Sequence, residues 1–260
     1  MTCSVPPSVN GLVIDTSWYW FATNDYIVGS WLNDWISTGP GADRIYAGAG
    51  ADTIYSGAGA DYVDAGAGDD VVYAGTGDDL VYGGAGDDRL YGQDGNDRIH
   101  GGDGADVIDV SAGVNHAWAG AGADTLYGGV GIDLLDGGDD ADRIWANEGD
   151  DTLYGGGGND LLDGGGGNDF IDTGAGDDVV YGGSGADRIV FGAGTGHDIA
   201  ADFEVGTDRL ALAGVGAAQL TFAAAFDARH GAGVMVSAGA DTIFLKGATL
   251  DRISASTLTG

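Results

Sequence analysis

The sequence is poor in cysteine, in positive charge and in long apolar runs. Its 260 residues include one cysteine, Cys3, and nine basic side chains, the first of which is Arg44. A single cysteine excludes an intramolecular disulfide. We expect no ordinary N-terminal signal peptide, because no apolar run follows a basic start. No stretch approaches the length of about 18 apolar residues that a membrane-spanning helix needs.

Acidic side chains are abundant by contrast. The chain has 41 acidic residues and a formal net charge of −32, and all of the acids except Glu148 and Glu204 are aspartates. The field of such a chain repels nucleic acid and anionic membrane surfaces. We therefore predict a cationic partner, with no nucleic acid and no membrane span.

A nine-residue repeat accounts for most of the 53 glycines. From Thr38 to Val190 the sequence runs through 17 consecutive nonads of the pattern G-G-x-G-x-D-x-U-x, where U is aliphatic. The sixth position is aspartate in all nonads but one, where it is Asn115, and the eighth is aliphatic in all but one, where it is Ala117. A disordered linker would not keep two positions in phase over this length. The repeat therefore predicts a regular structure.

The same frame extends backwards with its glycines lost. WFATNDYIV at 20–28 and GSWLNDWIS at 29–37 keep Asp25 and Asp34 at the sixth position. Terminal repeats of a solenoid are usually atypical because one end must be covered. We therefore predict that residues 1–37 form an N-terminal cap, with Trp20, Trp31 and Trp35 in the former loop region.

The chemistry of a nonad predicts a short strand followed by a turn. Positions seven to nine, such as Arg89-Leu90-Tyr91, alternate sides along a three-residue strand, so that the eighth side chain faces inward. Glycines at positions one, two and four permit a positive φ or a close backbone approach. Two nonads would then form one turn of a roll with two thin parallel sheets and the aliphatic residues between them.

Stacked aspartates repel one another, so the roll needs a cation. Carboxylates and turn carbonyls are the hard oxygen ligands that Ca²⁺ accepts in groups of six to eight. Mg²⁺ requires a smaller octahedral site than Ca²⁺. Zn²⁺ prefers cysteine and histidine ligands, but the chain has one cysteine and its four histidines (100, 116, 197 and 230) are scattered along the sequence. Ions between same-side loops would number about 10 to 13, and their binding would supply the folding free energy.

The nonads of residues 38–190 resemble those of RTX (repeat-in-toxin, hemolysin-type) calcium-binding proteins. The resemblance implies an all-β fold, a right-handed parallel β-roll solenoid with N- and C-terminal β caps. It also implies that the sixth-position aspartates bind Ca²⁺ together with loop carbonyls. Asn115, Ser111 and Asp140 depart from the motif. The predicted ligands are Asp43, Asp52, Asp61, Asp70, Asp79, Asp88, Asp97, Asp106, Asp124, Asp133, Asp142, Asp151, Asp160, Asp169, Asp178 and Asp187.

After Val190 the phase breaks, and residues 191–260 are predicted to form a C-terminal segment. FGAGTGHDIAADFEVGTDRLAL at 191–212 resembles the C-terminal extension of serralysin-type proteins, and GVMVSAGADTIFLKGATL resembles their uncleaved type I secretion region. The resemblance implies a secreted, extracellular protein that passes the type I secretion apparatus unfolded and folds in external calcium. The residues that imply the β cap are Asp198, Ile199, Asp202, Phe203, Asp208 and Leu210.

Aromatic residues recur at the ninth position of alternate nonads and should stack on one sheet. They could contact a glycan, a surface or a partner, or they could simply be good strand residues that shield their neighbours. We expect Asp87, beside the predicted ligand Asp88, to be surface charge only. The aromatic residues are Tyr55, Tyr73, Tyr91, Tyr127, Trp145 and Tyr181.

The sequence offers no catalytic motif. It contains neither H-E-x-x-H nor G-x-S-x-G, and its paired aspartates recur as loop chemistry rather than as one acid and base couple. We predict a non-enzymatic, secreted calcium-binding β-roll with a structural, adhesive or surface-associated role. The alternative is the C-terminal secretion and folding module of a larger secreted RTX enzyme, such as a metalloprotease, lipase or epimerase.

Overall fold

The computed structural model describes residues 2–3, 13–15, 24–192, 194–214, 216, 219–250 and 258–259, so that Trp20 lies outside the described residues. The chain divides into two compact units, Met1–Leu134 and Leu135–Gly260. Across these described ranges, no helix combines the length and the apolar character required to cross a membrane.

The first unit consists of two parallel sheets whose strands alternate along the chain. One sheet has the order β1-β3-β5-β7-β9-β11-β13 and the other β2-β4-β6-β8-β10-β12-β14. Paired residues lie 18 positions apart, as in Ile45 with Val63 and Leu90 with Ile108, so that one turn of the solenoid is two nonads. The strands are β1 Thr2–Cys3, β2 Val13–Asp15, β3 Tyr26–Ser30, β4 Trp35–Pro40, β5 Arg44–Ala49, β6 Thr53–Ala58, β7 Tyr62–Ala67, β8 Val71–Thr76, β9 Leu80–Ala85, β10 Arg89–Asp94, β11 Arg98–Asp103, β12 Val107–Asp109, β13 His116–Ala121 and β14 Thr125–Val130.

The second unit repeats this arrangement and then departs from it. Its sheets have the orders β15-β17-β19-β21-β23-β27 and β16-β18-β20-β22-β26-β25-β24, and the last three strands of the second sheet pair with one another in antiparallel fashion. The strands are β15 Leu134–Asp139, β16 Arg143–Glu148, β17 Thr152–Gly157, β18 Leu161–Asp163, β19 Phe170–Asp172, β20 Val179–Tyr181, β21 Arg188–Gly192, β22 His197–Ala200, β23 Arg209–Ala213, β24 Thr221–Asp227, β25 Gly231–Ala238, β26 Asp241–Lys246 and β27 Leu258–Thr259.

The predicted fold class is confirmed, because each unit is a parallel β-solenoid with a thin aliphatic core. The eighth-position side chains, such as Leu90 and Ile144, are fully buried between the sheets. The prediction of three-residue strands is wrong for most turns. Strands such as β10 run on through the first three positions of the next nonad, because these residues continue the ladder of hydrogen bonds to the neighbouring turn.

Glycine is required where the extended strand passes through its second loop position. Gly84 has a φ of 117°, and a Cβ there would collide with the carbonyl oxygen of Gly66 in the preceding turn. Gln93, Ser111 and Asn147 occupy the same position of other nonads and also keep a positive φ. The backbone shape therefore persists where the motif is lost, at the cost of local strain.

The degenerate N-terminal nonads join the first unit in the frame of the repeats. Strand β4 pairs with β6 in parallel, and Ile36 lies opposite Ile54. The prediction that Trp35 occupies a loop is wrong, since Trp35 opens β4 and its ring lies 6.0 Å from that of Tyr55. Trp31 does lie between strands and is 71% exposed.

Beyond Val190 the nine-residue phase breaks, but the parallel stacking of strands continues. Strand β23 continues the sheet of β21, with Leu210 opposite Ile189, and β22 continues the sheet of β20, with Ala200 opposite Val180. Short insertions displace the nine-residue frame. The parallel stacking then resumes because the inward-facing apolar side chains are again buried between the two sheets.

Replacing Gly84 by alanine tests the backbone requirement. The side chain forces a change of φ and a clash with Gly66, so we expect a loss of about 2 kcal/mol or more in the free energy of unfolding at saturating calcium. Urea unfolding followed by circular dichroism measures it. Gly157→Ala is the matched control, because no atom lies within 4 Å of the added Cβ. Equal stability of the two variants would contradict the requirement for glycine at this position.

Candidate metal centre

All sixteen predicted ligand aspartates occupy one structural position, the residue immediately before a strand. Each is at most 3% exposed. Asp88, for example, precedes β10 and is 1% exposed although its side chain is charged in water at neutral pH. Burial of so many carboxylates is unfavourable unless each is compensated by hydrogen bonds or by a cation.

One oxygen of most of these carboxylates is used to join neighbouring turns. The backbone N–H of Asp70 donates to Oδ1 of Asp88 at 2.8 Å, and that of Asp88 donates to Oδ1 of Asp106 at 2.8 Å. The aspartates thus form rows in which each residue holds the next turn. In the first unit the rows are Asp25, Asp43, Asp61, Asp79, Asp97, Asn115 and Asp133, and Asp34, Asp52, Asp70, Asp88, Asp106 and Asp124.

The other oxygen is buried and receives no hydrogen bond in twelve of the sixteen aspartates. A buried carboxylate oxygen without a partner loses its hydrogen bonds to water and gains none from the protein. A bound cation would compensate this loss. These atoms therefore fit an oxygen-ligated metal ion. They are Oδ2 of Asp43, Asp52, Asp61, Asp70, Asp79, Asp88, Asp97, Asp106, Asp160, Asp169, Asp178 and Asp187.

The unpartnered oxygen lies close to a carbonyl of the following turn. At Gly83 the space that a Cβ would fill is bordered by Oδ2 of Asp88 and by the carbonyl oxygen of Gly101, 2.8 Å from that position. Gly164 is bordered in the same way by Oδ2 of Asp169 and, at 2.7 Å, by the carbonyl of Gly182. A carboxylate of one turn and a carbonyl of the next are the mixed oxygen ligands that suit Ca²⁺.

Side chains alone cannot complete such a site. In the part of the chain that the structure describes, no group of three histidine, cysteine, aspartate or glutamate side chains is placed to hold a metal. Backbone carbonyls must therefore supply most of the ligands. This composition disfavours zinc and agrees with the expectation of calcium.

The electrostatics of the rows point the same way. Burial, with smaller contributions from neighbouring aspartates in the row, raises the pKa of Asp61 to about 8 and those of Asp52, Asp79 and Asp88 to about 7. The pKa values are high because the charged carboxylates lack both water and counter-charge. A cation in the row would supply that counter-charge.

Asn115 keeps the hydrogen bond that joins neighbouring turns but lacks the second carboxylate oxygen. Its Oδ1 accepts from the N–H of Asp97 at 2.9 Å, as an aspartate would. Its buried Nδ2 stands in place of the second carboxylate oxygen. An amide nitrogen does not bind Ca²⁺, so this nonad preserves the stacking of turns but offers no anionic ligand.

A second row of hydrogen bonds at the fifth position was missed by sequence reasoning. Asp87 donates its N–H to Oδ1 of Asp69 at 3.0 Å, and its own Oδ1 accepts from Ala105 at 2.9 Å. The prediction that Asp87 is surface charge only is therefore wrong. The signal was the recurrence of aspartate and asparagine at position five. These bonds run in the opposite direction to those of position six.

The predicted aromatic residues of the first unit lie on one sheet, and a second aromatic stack lies on the other sheet. Tyr55, Tyr73 and Tyr91 lie parallel, with ring centroids 4.9 Å apart. Asp109 lies opposite Tyr91 on one neighbouring strand and opposite Tyr127 on the other, so it interrupts the series of rings. In the second unit Asp163 likewise separates Trp145 from Tyr181. A stack of Tyr82, His100 and Trp118 on the other sheet was not predicted.

The sequence matches the family model of the RTX calcium-binding nonapeptide repeat in four-copy segments. The matches cover residues 28–63, 64–99, 82–117, 100–135, 127–162, 136–171 and 163–197. They include the repeats from which the resemblance was inferred and part of the degenerate N-terminal frame. Among curated protein sequences, none matches the chain.

The solved structures that are similar to parts of the chain include a lipase and an epimerase subunit. The extracellular lipase LipA from Serratia marcescens is 20% identical, with a TM-score of 0.36 over 74% of this chain and 40% of that chain. The AlgE6R3 subunit of the Azotobacter vinelandii mannuronan C5-epimerase is 25% identical, with a TM-score of 0.21 over 48% of this chain and 78% of that chain. The chain thus spans less than half of the lipase.

Protonation should partly replace the cation. A carboxyl whose pKa is higher in the folded state than its ordinary value of 3.8 stabilises the fold below pH 4. That contribution is lost as the pH rises through the folded values of about 7 to 8. We therefore expect calcium-free protein to lose strand content between about pH 4 and pH 8, as measured by far-ultraviolet circular dichroism. Strand content that rises with pH would contradict this assignment.

Proposed function

Because the chain belongs to the family of RTX calcium-binding nonapeptide repeat proteins, we propose that it is a secreted protein whose β-roll folds on binding extracellular calcium. Its role is structural, adhesive or surface-associated. The observation that carries this proposal is the set of buried carboxylate oxygens without a hydrogen-bond partner. Calcium supplies the positive charge that lets these groups remain ionised inside the roll.

The sixteen sixth-position aspartates are the proposed ligands, and we assign different roles to the two oxygens of each carboxylate. Oδ1 holds the preceding turn through a backbone N–H, while Oδ2 faces the ion. The loop carbonyls of the following turn, such as that of Gly101 beside Asp88, complete the coordination. The position of Asn115 supplies no carboxylate, so we assign no calcium ion to it. The proposed segments are 1–37 as N-terminal cap, 38–190 as the β-roll and 191–260 as C-terminal cap and secretion region.

Folding and localisation follow from the same charges. Without calcium, the net charge of −32 and the close aspartate rows oppose compaction. A chain that stays unfolded at cytosolic calcium can pass a type I secretion apparatus, and millimolar calcium outside the cell then folds it. Metal binding thereby acts as the folding free energy and makes export directional.

A surface-binding role of the aromatic stack is a second candidate. Tyr55 is 40% exposed, and its ring begins the parallel stack with Tyr73 and Tyr91. The faces of stacked rings cover one another, so a glycan or surface partner would meet the ring edges and hydroxyl groups. Tyr127, Trp145 and Tyr181 stand apart in this proposal, because Asp109 and Asp163 interrupt the series.

The alternative, a secretion and folding module of a larger RTX enzyme, stays a prediction. The repeats themselves carry no catalytic feature, because their acidic residues perform the same structural task in every turn. An in-frame catalytic domain encoded upstream would decide in favour of this alternative.

Asp88→Asn tests the ligand assignment, with Asp87→Asn as its matched control. Both variants remove one negative charge and keep an Oδ1 that can accept a hydrogen bond, but only Asp88 has a buried, unpartnered Oδ2. We expect the calcium concentration at the folding midpoint to rise at least about tenfold for Asp88→Asn and to change little for Asp87→Asn.

The measurement is circular dichroism during a calcium titration, with a parallel titration of Mg²⁺. The proposed function predicts a calcium-dependent gain of strand that Mg²⁺ does not reproduce at the same concentration. A strand-rich spectrum in chelator, unchanged by calcium, would overturn it. Equal midpoints for the two variants would overturn the assignment of Asp88 alone.

The double variant Tyr73→Ala and Tyr91→Ala tests the aromatic surface. If these rings contact a partner, the folded variant should lose binding to polysaccharide or to whole cells, because aromatic contacts dominate such interfaces. Binding by pull-down is compared with that of Tyr82→Ala, which removes a ring on the other sheet. Unchanged binding of the double variant would leave the rings with a purely structural role.

A further inference from the structure

The aspartate row of the second unit continues beyond the recognisable repeats. Asp142, Asp160 and Asp178 are joined by N–H donation to the Oδ1 of the next residue at 2.8 Å. Asp178 in turn donates to Oδ1 of Asp198 at 3.3 Å, although 20 residues rather than 18 separate them. The family match ends at residue 197, immediately before this aspartate.

The residues around Asp198 form a displaced nonad. After the two inserted residues Phe191 and Gly192, the sequence AGTGHDIAA at 193–201 has the same frame as AGTGDDLVY at 74–82. Its glycines at the second and fourth positions, Gly194 and Gly196, have φ values of 90° and 93°. Its eighth residue, Ala200, is fully buried.

The backbone contacts of this nonad reproduce those of the repeats. The N–H of Gly176 donates to the carbonyl of Thr195 at 3.1 Å, the bond that Gly68 makes with Ala85 at 2.7 Å. The N–H of His197 donates to Oδ1 of Asp177 at 3.1 Å, as fifth-position residues do elsewhere. The loop of residues 194–198 is therefore built as a repeat loop.

The carboxylate of Asp198 has a buried oxygen without a hydrogen-bond partner, like the carboxylates of the repeats. The residue is 2% exposed, and its Oδ2 is buried without a hydrogen-bond partner, as is Oδ2 of Asp178 one turn earlier. Burial, with a smaller contribution from the nearby charge of Asp178, raises the pKa of Asp198 to about 8. Two buried, unpartnered carboxylate oxygens on neighbouring turns point to a cation.

We propose that Asp198 is a calcium ligand and that it holds the last ion of its row, in a displaced repeat at residues 193–201. The inference rests on the proposed function, since it extends calcium binding to a residue outside the repeats. The row ends at Asp198 because the residue opposite it in the next strand is Ile243, which is fully buried and cannot bind a cation.

The other row of the second unit ends without an ion. Asp208 accepts from the N–H of Asp187 with Oδ1, at 3.2 Å, and from the N–H of Glu204 with Oδ2, at 2.6 Å. A backbone donor therefore occupies the place that the ion takes at Asp198. Asp202 is satisfied in the same manner by the N–H groups of Gly182 and Gly183.

This difference gives a matched pair of variants, Asp198→Asn and Asp208→Asn. Native mass spectrometry of the full chain at saturating calcium counts the bound ions. We expect Asp198→Asn to bind one ion fewer than the wild type and Asp208→Asn to bind the wild-type number. An unchanged count for Asp198→Asn would overturn the proposal while the proposed function stands. A wild type that binds no calcium would overturn both.

Hydrogen exchange decides the matter if Asp198→Asn does not fold. In the wild type, an ion at Asp198 predicts that β22 gains protection only as calcium is added and that this protection is complete only at the full ion count. Protection of β22 that is already complete one ion short of the full count would overturn the proposal while the proposed function stands.

Discussion

The structure depends on how buried carboxylates are compensated. Each turn of the solenoid buries aspartates whose Oδ1 holds the neighbouring turn, and most of them leave Oδ2 without a protein partner. The core between the sheets is only one aliphatic residue deep on each side, as at Leu90. Such a core gives little stability per residue, so the state of the carboxylates decides whether the roll is folded.

The backbone serves the same constraint. The glycines at the second and fourth loop positions permit a positive φ that brings carbonyls of successive turns close to the aspartates. The fifth-position residues, such as Asp87, bind the turns in the opposite direction to the sixth. Together they hold the loop shape even at Asn115, where the anionic ligand is missing. Loop geometry and ion binding are therefore separable, although they share residues.

Sequence reasoning reached the solenoid and the inward aliphatic residues, and the sixteen aspartates that it selected share one position of the fold, because each depends on a strict nine-residue phase. It failed where the phase is displaced or where a contact joins different turns. The three-residue strands were too short, since pairing between turns lengthens them. Trp35 was assigned to a loop, although its seventh position places it on a strand. The continuation of the row to Asp198 was hidden by a two-residue insertion.

The sequence by itself determined the repeating unit, the kind of ligand and the sign of the partner's charge, because these follow from residue types at fixed spacing. Only the tertiary structure decided which oxygen of a buried aspartate, such as Asp88, accepts a hydrogen bond and which has no donor. Asp198 and Asp208 show the distinction, since both are buried aspartates whose Oδ1 accepts the N–H of a repeat aspartate. One lacks a donor for its second oxygen and the other receives the N–H of Glu204, a contact set by how the chain folds back and not by the motif.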